Sequence, residues 1–199
     1  MKAPAARADT HDMGRTILLT GLLVGLVVSL PTAAGRSTHD FEKHTFSLDL
    51  PEGYALQAEA TPKPGFGTFG FSTEPRTDGT RGMIQVSLFD LTQAPPGETV
   101  TVDRLASALI NSVRERRTRW EQAEKEVRVG GVTAKRIAWS GSVEPGFGRP
   151  AVNMRGVMIV GIARNMGFAL HTQDLTTYSD TTLPLCEEAL LTFATSPRR

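Results

Sequence analysis

The chain has 199 residues, 22 basic and 21 acidic side chains, and a single cysteine. A net charge of +1 excludes the broad positive field on which nucleic-acid binding relies. One cysteine, Cys186, excludes an internal disulfide and every multi-cysteine metal frame, while the length is ordinary for one domain with a real core.

Behind Arg15, residues 16–30 run without a charge, stop at Pro31 and pass into Thr32-Ala33-Ala34-Gly35. A positive residue, an apolar run and a small-residue exit are the three parts of a secretory signal peptide. As a helix the run would be roughly 22 Å long, short of the ~30 Å hydrocarbon core. Cleavage after Ala34 or Gly35 and a secreted or periplasmic location are therefore expected, in preference to a retained amino-terminal anchor. Asp9 and Asp12 sit badly ahead of a signal, and a start at Met13 places Met-Gly-Arg directly before the apolar run. Met13 is the expected true start. Residues 1–35 remove three of the basic and two of the acidic groups, which leaves residues 36–199 formally neutral and expected to form a single α+β domain. An exported domain without disulfides must hold together by packing.

Strands come first. Phe46, Leu48 and Leu50 alternate with polar residues, Pro51-Glu52-Gly53 turns the chain into Tyr54-Ala55-Leu56, and a looser stretch at 61–65 leads to Phe69-Gly70-Phe71. Ile84, Val86 and Leu88 alternate on a further strand that Pro95-Pro96-Gly97 closes. Val102, Leu105, Ala106, Leu109, Ile110, Val113 and Trp120 then fall on one stripe at helical spacing, which predicts a long helix over residues 102–120 capped by Thr101. Residues 126–140 read as a hairpin about Gly130-Gly131, because two glycines can both take the positive φ of a tight turn. The runs 152–163 and 168–172 form a second pair, and Leu183, Cys186, Leu190 and Phe193 mark a short closing helix with Pro184 in its first turn.

The segments Phe46-Ser47-Leu48-Asp49-Leu50-Pro51-Glu52-Gly53-Tyr54, Val127–Arg136 and Ala189-Leu190-Leu191-Thr192-Phe193 resemble the PsbP/Mog-like superfamily of small exported proteins. The resemblance spans roughly residues 41–195 and rests on strand and turn patterns. It implies a central antiparallel sheet flanked by one long and one short helix, an α/β/α sandwich. It also implies a binding or assembly role without catalysis. No contact residue matches, so the family's partners do not transfer.

Candidate chemistry is thin. Gly65-Phe66-Gly67-Thr68-Phe69-Gly70 spells a dinucleotide fingerprint, yet prolines precede it and no helix pattern follows, so no cofactor is expected. The tetrapeptide Pro-Gly-Phe-Gly occurs twice, and Phe66 and Phe147 are candidates for an aromatic lip around a partner. His39, His44 and His171 are few for a metal site, although His39-Asp40 and His44, next to the expected mature amino terminus, could join His171 if the termini and the sheet edge met. Ser140-Gly141-Ser142 is not a nucleophile elbow. Cys186 lies on an apolar stripe, as a core thiol would. Arg114, Arg116, Arg117 and Arg119 crowd the helix end, where cations are stabilised by the helix dipole and could also meet anionic lipid or an acidic partner. Arg136, Arg155 and Arg164 are candidates for an anion clamp if one cleft gathers them. The resulting expectation is an exported, non-enzymatic binding or assembly factor with a protein partner at the cell envelope, near a membrane. The alternatives are a small-ligand or metal-binding protein, or an enzyme with a scattered site.

Overall fold

A computed structural model describes residues 34–95, 97, 99–144 and 150–198; the expected signal segment up to Ala33, and Phe147, lie outside them. The strands are β1 (Gly35–Phe41), β2 (His44–Leu50), β3 (Ala55–Lys63), β4 (Phe66–Ser72), β5 (Met83–Asp90), β6 (Thr118–Val129), β7 (Val132–Val143), β8 (Val152–Ala163), β9 (Met166–Leu175) and β10 (Ala194–Pro197). The helices are α1 (Val102–Arg114) and α2 (Thr176–Leu191). All strand pairings are antiparallel, in a seven-stranded sheet of order β3-β4-β5-β9-β8-β7-β6 and a three-stranded sheet of order β1-β2-β10. The result is an α+β fold, mostly antiparallel sheet with two helices.

Tight turns set the register of the large sheet. Val129 pairs with Val132 across Gly130 (φ 59°) and Gly131 (φ 79°), and Ala163 pairs with Met166 across Arg164 (φ 58°) and Asn165. Positive φ in such two-residue connections matches the twist of the flanking strands. With register fixed, alternation divides the side chains between the two faces. Ile84, Val86 and Leu88 of β5, Val157 and Ile159 of β8, and Phe168 and Leu170 of β9 join one core with Phe46, Leu48, Cys186, Leu190 and Phe193. Ile137 and Trp139 of β7, Met158 and Val160 of β8, and Ala169 of β9 join the other, with Ala106, Leu109, Ile110 and Val113 of α1. Thus α1 covers one face, while α2 and the small sheet share the other.

Both helices depart from expectation. The sequence stripe carries α1 to Trp120, whereas the helix ends at Arg114 and Trp120 lies on β6. The Arg117 amide turns back to the Arg114 carbonyl, Arg119 takes φ 52°, and the chain leaves as a strand. Helical spacing at Trp120 was coincidental, because the same residue packs from a strand. The closing helix, α2, is the longer of the two at 16 residues against 13, and Pro184 lies inside it. Pro184 is exposed, so the carbonyl it leaves without a donor can meet water, and the helix passes through. Strands β1 and β10 carry too few apolar residues to be legible alone. They pair on either side of β2, which places Phe46 against Phe193 with ring centroids 6.0 Å apart.

Leu109 is 6% exposed on the sheet-facing stripe of α1, so Leu109→Ala should cost about 2–5 kcal/mol. Ser107→Ala, on the exposed face, should stay within about 0.5 kcal/mol. Equal shifts of the urea midpoint for both variants would refute this packing of α1.

Candidate functional site

The arginine-rich end of α1 meets the sheet at a tryptophan. Trp139 lies on β7, and its cross-strand neighbour on β8 is Gly156. A Cβ at Gly156 would run into the Trp139 ring and the Thr172 carbonyl, so the absent side chain is what seats the indole. Opposite, β6 is irregular between Thr118 and Glu121, an irregularity of the kind that re-aims side chains at a sheet edge. Trp120, inside this irregularity, stacks on Trp139 at 5.2 Å between centroids. A Cβ at Gly141 would sit 3.2 Å from Arg117 Cβ and 3.3 Å from Trp120 Cε3, so a second glycine keeps room for both.

Arg117 fills the remaining space. Its guanidinium carbon stands 4.4 Å over the Trp139 ring. Nη1 donates to the Val113 carbonyl at 2.6 Å and Nη2 donates to Gln173 Oε1 at 2.8 Å. Nε is buried with no acceptor, and among the described residues no carboxylate pairs with Arg117. Burial first, and then the charge of Arg116, push this guanidinium below its ordinary value, though an arginine stays cationic at neutral pH. Asn111, Arg114, Glu115, Arg117, Arg119 and Trp120 line an open concavity of about 520 Å³ here. Beneath it, His171 is buried beside Trp139, and its Nε2 has no partner. Burial, reinforced by Arg117, pushes the imidazole down to about 4, so it is neutral at pH 7.

The remaining sequence candidates are placed elsewhere. Arg136 and Arg155 face α2, where Arg136 makes two bonds to Glu187, of 2.6 and 2.7 Å, and Arg155 makes one of 2.8 Å to Asp180. Arg164 lies in the β8–β9 turn and lines a different, open concavity with Thr45, Ser196, Pro197 and Arg198. The three arginines therefore form no clamp: each of the first two is neutralised by its own helix carboxylate, and the third is at another site. Phe66 opens β4, is only 8% exposed and packs tilted against Phe89 at 5.2 Å between centroids, so its ring is packing, not a loop lip. The glycine-rich fingerprint is the β3–β4 turn and β4 itself, followed by strand and loop. His39 sits among Phe46, Phe69 and Phe71, away from His171, and no three potential metal ligands cluster among the described residues.

The sequence singled out the arginines, and His171 only as a metal candidate, but not Trp139, Gly141, Gly156 or Gln173. Glycines in the middle of apolar strands were the available signal, since they mark close approach of a bulky group.

No protein-family model matches the chain, and no curated protein does. Among solved structures, the chain is similar to cyanobacterial PsbP (CyanoP) from Synechocystis sp. PCC 6803, with 14% identity over 88% of this chain and 99% of that one, and a TM-score of 0.55. The chain has the PsbP-like fold. It is likewise similar to LpqN, involved in cell envelope biogenesis of Mycobacterium tuberculosis, with 13% identity over 83% of this chain and 93% of that one, and a TM-score of 0.53. On this PsbP-like scaffold the arginine–tryptophan concavity occupies the α1 face of the large sheet, near its β6 edge.

The folded state holds His171 neutral down to about pH 4, whereas the unfolded chain titrates near 6.5. Unfolding therefore takes up a proton between those values, and stability should fall as pH drops from 6.5 towards 4, by up to about 3 kcal/mol. His39, lowered chiefly by burial, acts in the same direction. Urea midpoints for wild type and His171→Leu at pH 7.5 and pH 5 check this: the variant should lose much of the pH dependence, and an unchanged slope would assign it to other groups.

Proposed function

We propose that this protein is an exported, non-enzymatic binding or assembly factor of the cell envelope, and that the concavity at the end of α1 is its recognition face. The observation carrying this reading is the Arg117 guanidinium, fixed on Trp139 by two neutral acceptors and left without a counter-ion. Charge withdrawn from water is ordinarily paired, so a half-buried guanidinium without a counter-ion favours a negatively charged occupant. Arg114 and Arg119 on the same rim extend that field. The site offers orientation and charge, with no nucleophile–base pair in its lining, which suits binding over group transfer. Export is supported by the uncharged run of residues 16–30 and its small-residue exit. The first strand begins at Gly35, the last residue of that exit. No helix among the described residues is long and apolar enough to cross a membrane. The likeness to LpqN, a protein of envelope biogenesis, fits the same setting.

Two measurements test the proposal. A photo-crosslinking residue at Asn111, on the rim, should yield a discrete adduct with an envelope protein in the native cells, while one at the exposed Leu185 of α2 should not. Absence of an adduct at Asn111, or the same adducts at both sites, would overturn the recognition face. Amino-terminal sequencing of the exported protein should begin at Gly35 or Arg36, and a product retaining Met1 or Met13 would overturn cleavage.

A further inference from the structure

Three arginines that reach across the faces of the large sheet are neutralised by carboxylates, and a fourth is not. Arg76 makes two bonds to the buried Asp174, at 2.9 and 2.5 Å, and Arg136 and Arg155 bond to Glu187 and Asp180 of α2. Arg117 alone among these four bonds only to neutral oxygens, one backbone carbonyl and one side-chain amide. Its position is nonetheless fixed, by those two bonds, by the Trp139 face and by the space that Gly141 leaves. A cation held rigidly beside a concavity, with its counter-charge missing, is preorganised to receive an anion.

We propose that the concavity binds an acidic peptide segment of a partner protein, with one carboxylate on Arg117 and neighbouring acids on Arg114 and Arg119. This deepens the recognition face assigned above and rests on it. Three features of the lining favour a peptide over an anionic membrane. Trp120 supplies a flat apolar wall against which a peptide's methylene groups can lie. Asn111 can both donate to and accept from a peptide backbone, and Glu115 can accept from a backbone amide while repelling a dense sheet of negative headgroups. The large exposed apolar side chains among the described residues, Leu56, Leu185 and Leu191, lie on β3 and α2, and Trp120 is half-buried and stacked on Trp139, so this rim offers no protruding apolar anchor to a bilayer. The dipole of α1 explains why arginines are tolerated at its end, but it does not explain a guanidinium seated on tryptophan at the expense of a carboxylate partner.

The only two tryptophans of the chain, Trp120 and Trp139, both belong to the site, so intrinsic fluorescence reports on it directly. The purified full chain is titrated in parallel with hexaglutamate, hexaglutamine, inorganic phosphate and vesicles containing anionic phosphatidylglycerol. Hexaglutamate should give a saturable change that weakens as salt rises from about 0.05 to 0.5 M, and the other three should not. The double variant Arg114→Gln/Arg119→Gln should weaken the peptide about tenfold while melting at the wild-type temperature. Arg117→Lys, which keeps the charge and loses the planar fork, should weaken it by a similar factor. No response to hexaglutamate, or an equal response to hexaglutamine, overturns the proposal. An equal response to phosphate makes this a free-anion site, a response to vesicles in place of peptide makes it a membrane contact, and either overturns the peptide. Wild-type affinity in the double variant also overturns it. Failure here with an adduct still formed at Asn111 removes the acidic peptide and leaves the envelope factor standing; binding here without an adduct does the reverse.

Discussion

Strands β8 and β9 are buried on both faces, and the rest of the architecture answers that constraint. β9 is buried without interruption from Met166 to Thr172, and β8 from Gly156 to Gly161. A sheet whose middle is apolar on both sides needs two covers, since one exposed face would leave several large side chains in water. α1 supplies one cover with four buried residues on a single stripe. The other face is wider, and α2 shares it with the small sheet. Phe46 of β2 reaches Phe69 at 4.7 Å, and Phe193, just beyond α2, reaches Phe168 at 4.9 Å, so the aromatic cluster joins both sheets and the chain's end.

The same two covers divide the charged residues into different kinds of work. On the α2 face, arginines act as straps: Arg76 holds the β4–β5 loop to buried Asp174 and lies over the Tyr178 ring at 4.2 Å, while Arg136 and Arg155 tie the sheet to the helix two turns apart. Partners close each charge, so these residues contribute little to any ligand. On the α1 face the helix is shorter and its end does not reach across Trp139. Arg117 folds back over the indole there, and the concavity that remains is the consequence of a helix ending early beside an irregular edge strand. Neutral His171 below and the unpaired Nε above it make this a locally undersatisfied region, of the kind more often kept for binding than for stability.

On this PsbP-like fold the proposed recognition face is the surface that packing leaves incomplete. CyanoP and LpqN share the scaffold at identities of 14% and 13%, which is enough to share a backbone and too little to share contact residues. The chemistry of this chain's site therefore follows from its own arginines and tryptophans.

Much of the fold was legible in the sequence because its signals are local. Period-two alternation in β2 and β5, the apolar run of β8, the Gly130-Gly131 turn and the stripe of α1 each depend on neighbours a few residues away. Tertiary structure decided the rest. β1 and β10 are strands because β2 offers them edges, and Phe66 is buried because β4 pairs with β5 and sets it opposite Phe89. The sequence showed arginines gathered after α1 and arginines scattered on later strands, with nothing to rank them. Which ones are free depends on what sits opposite. Arg136 meets a glutamate 51 positions away and Arg117 meets a glutamine 56 positions away. By itself the sequence determined the α+β class and the supply of cations, and it raised the expectation of an export signal in residues that lie outside the described ones. The folded chain alone decided which cation keeps its charge open, because a counter-ion is a long-range neighbour and no local pattern encodes it.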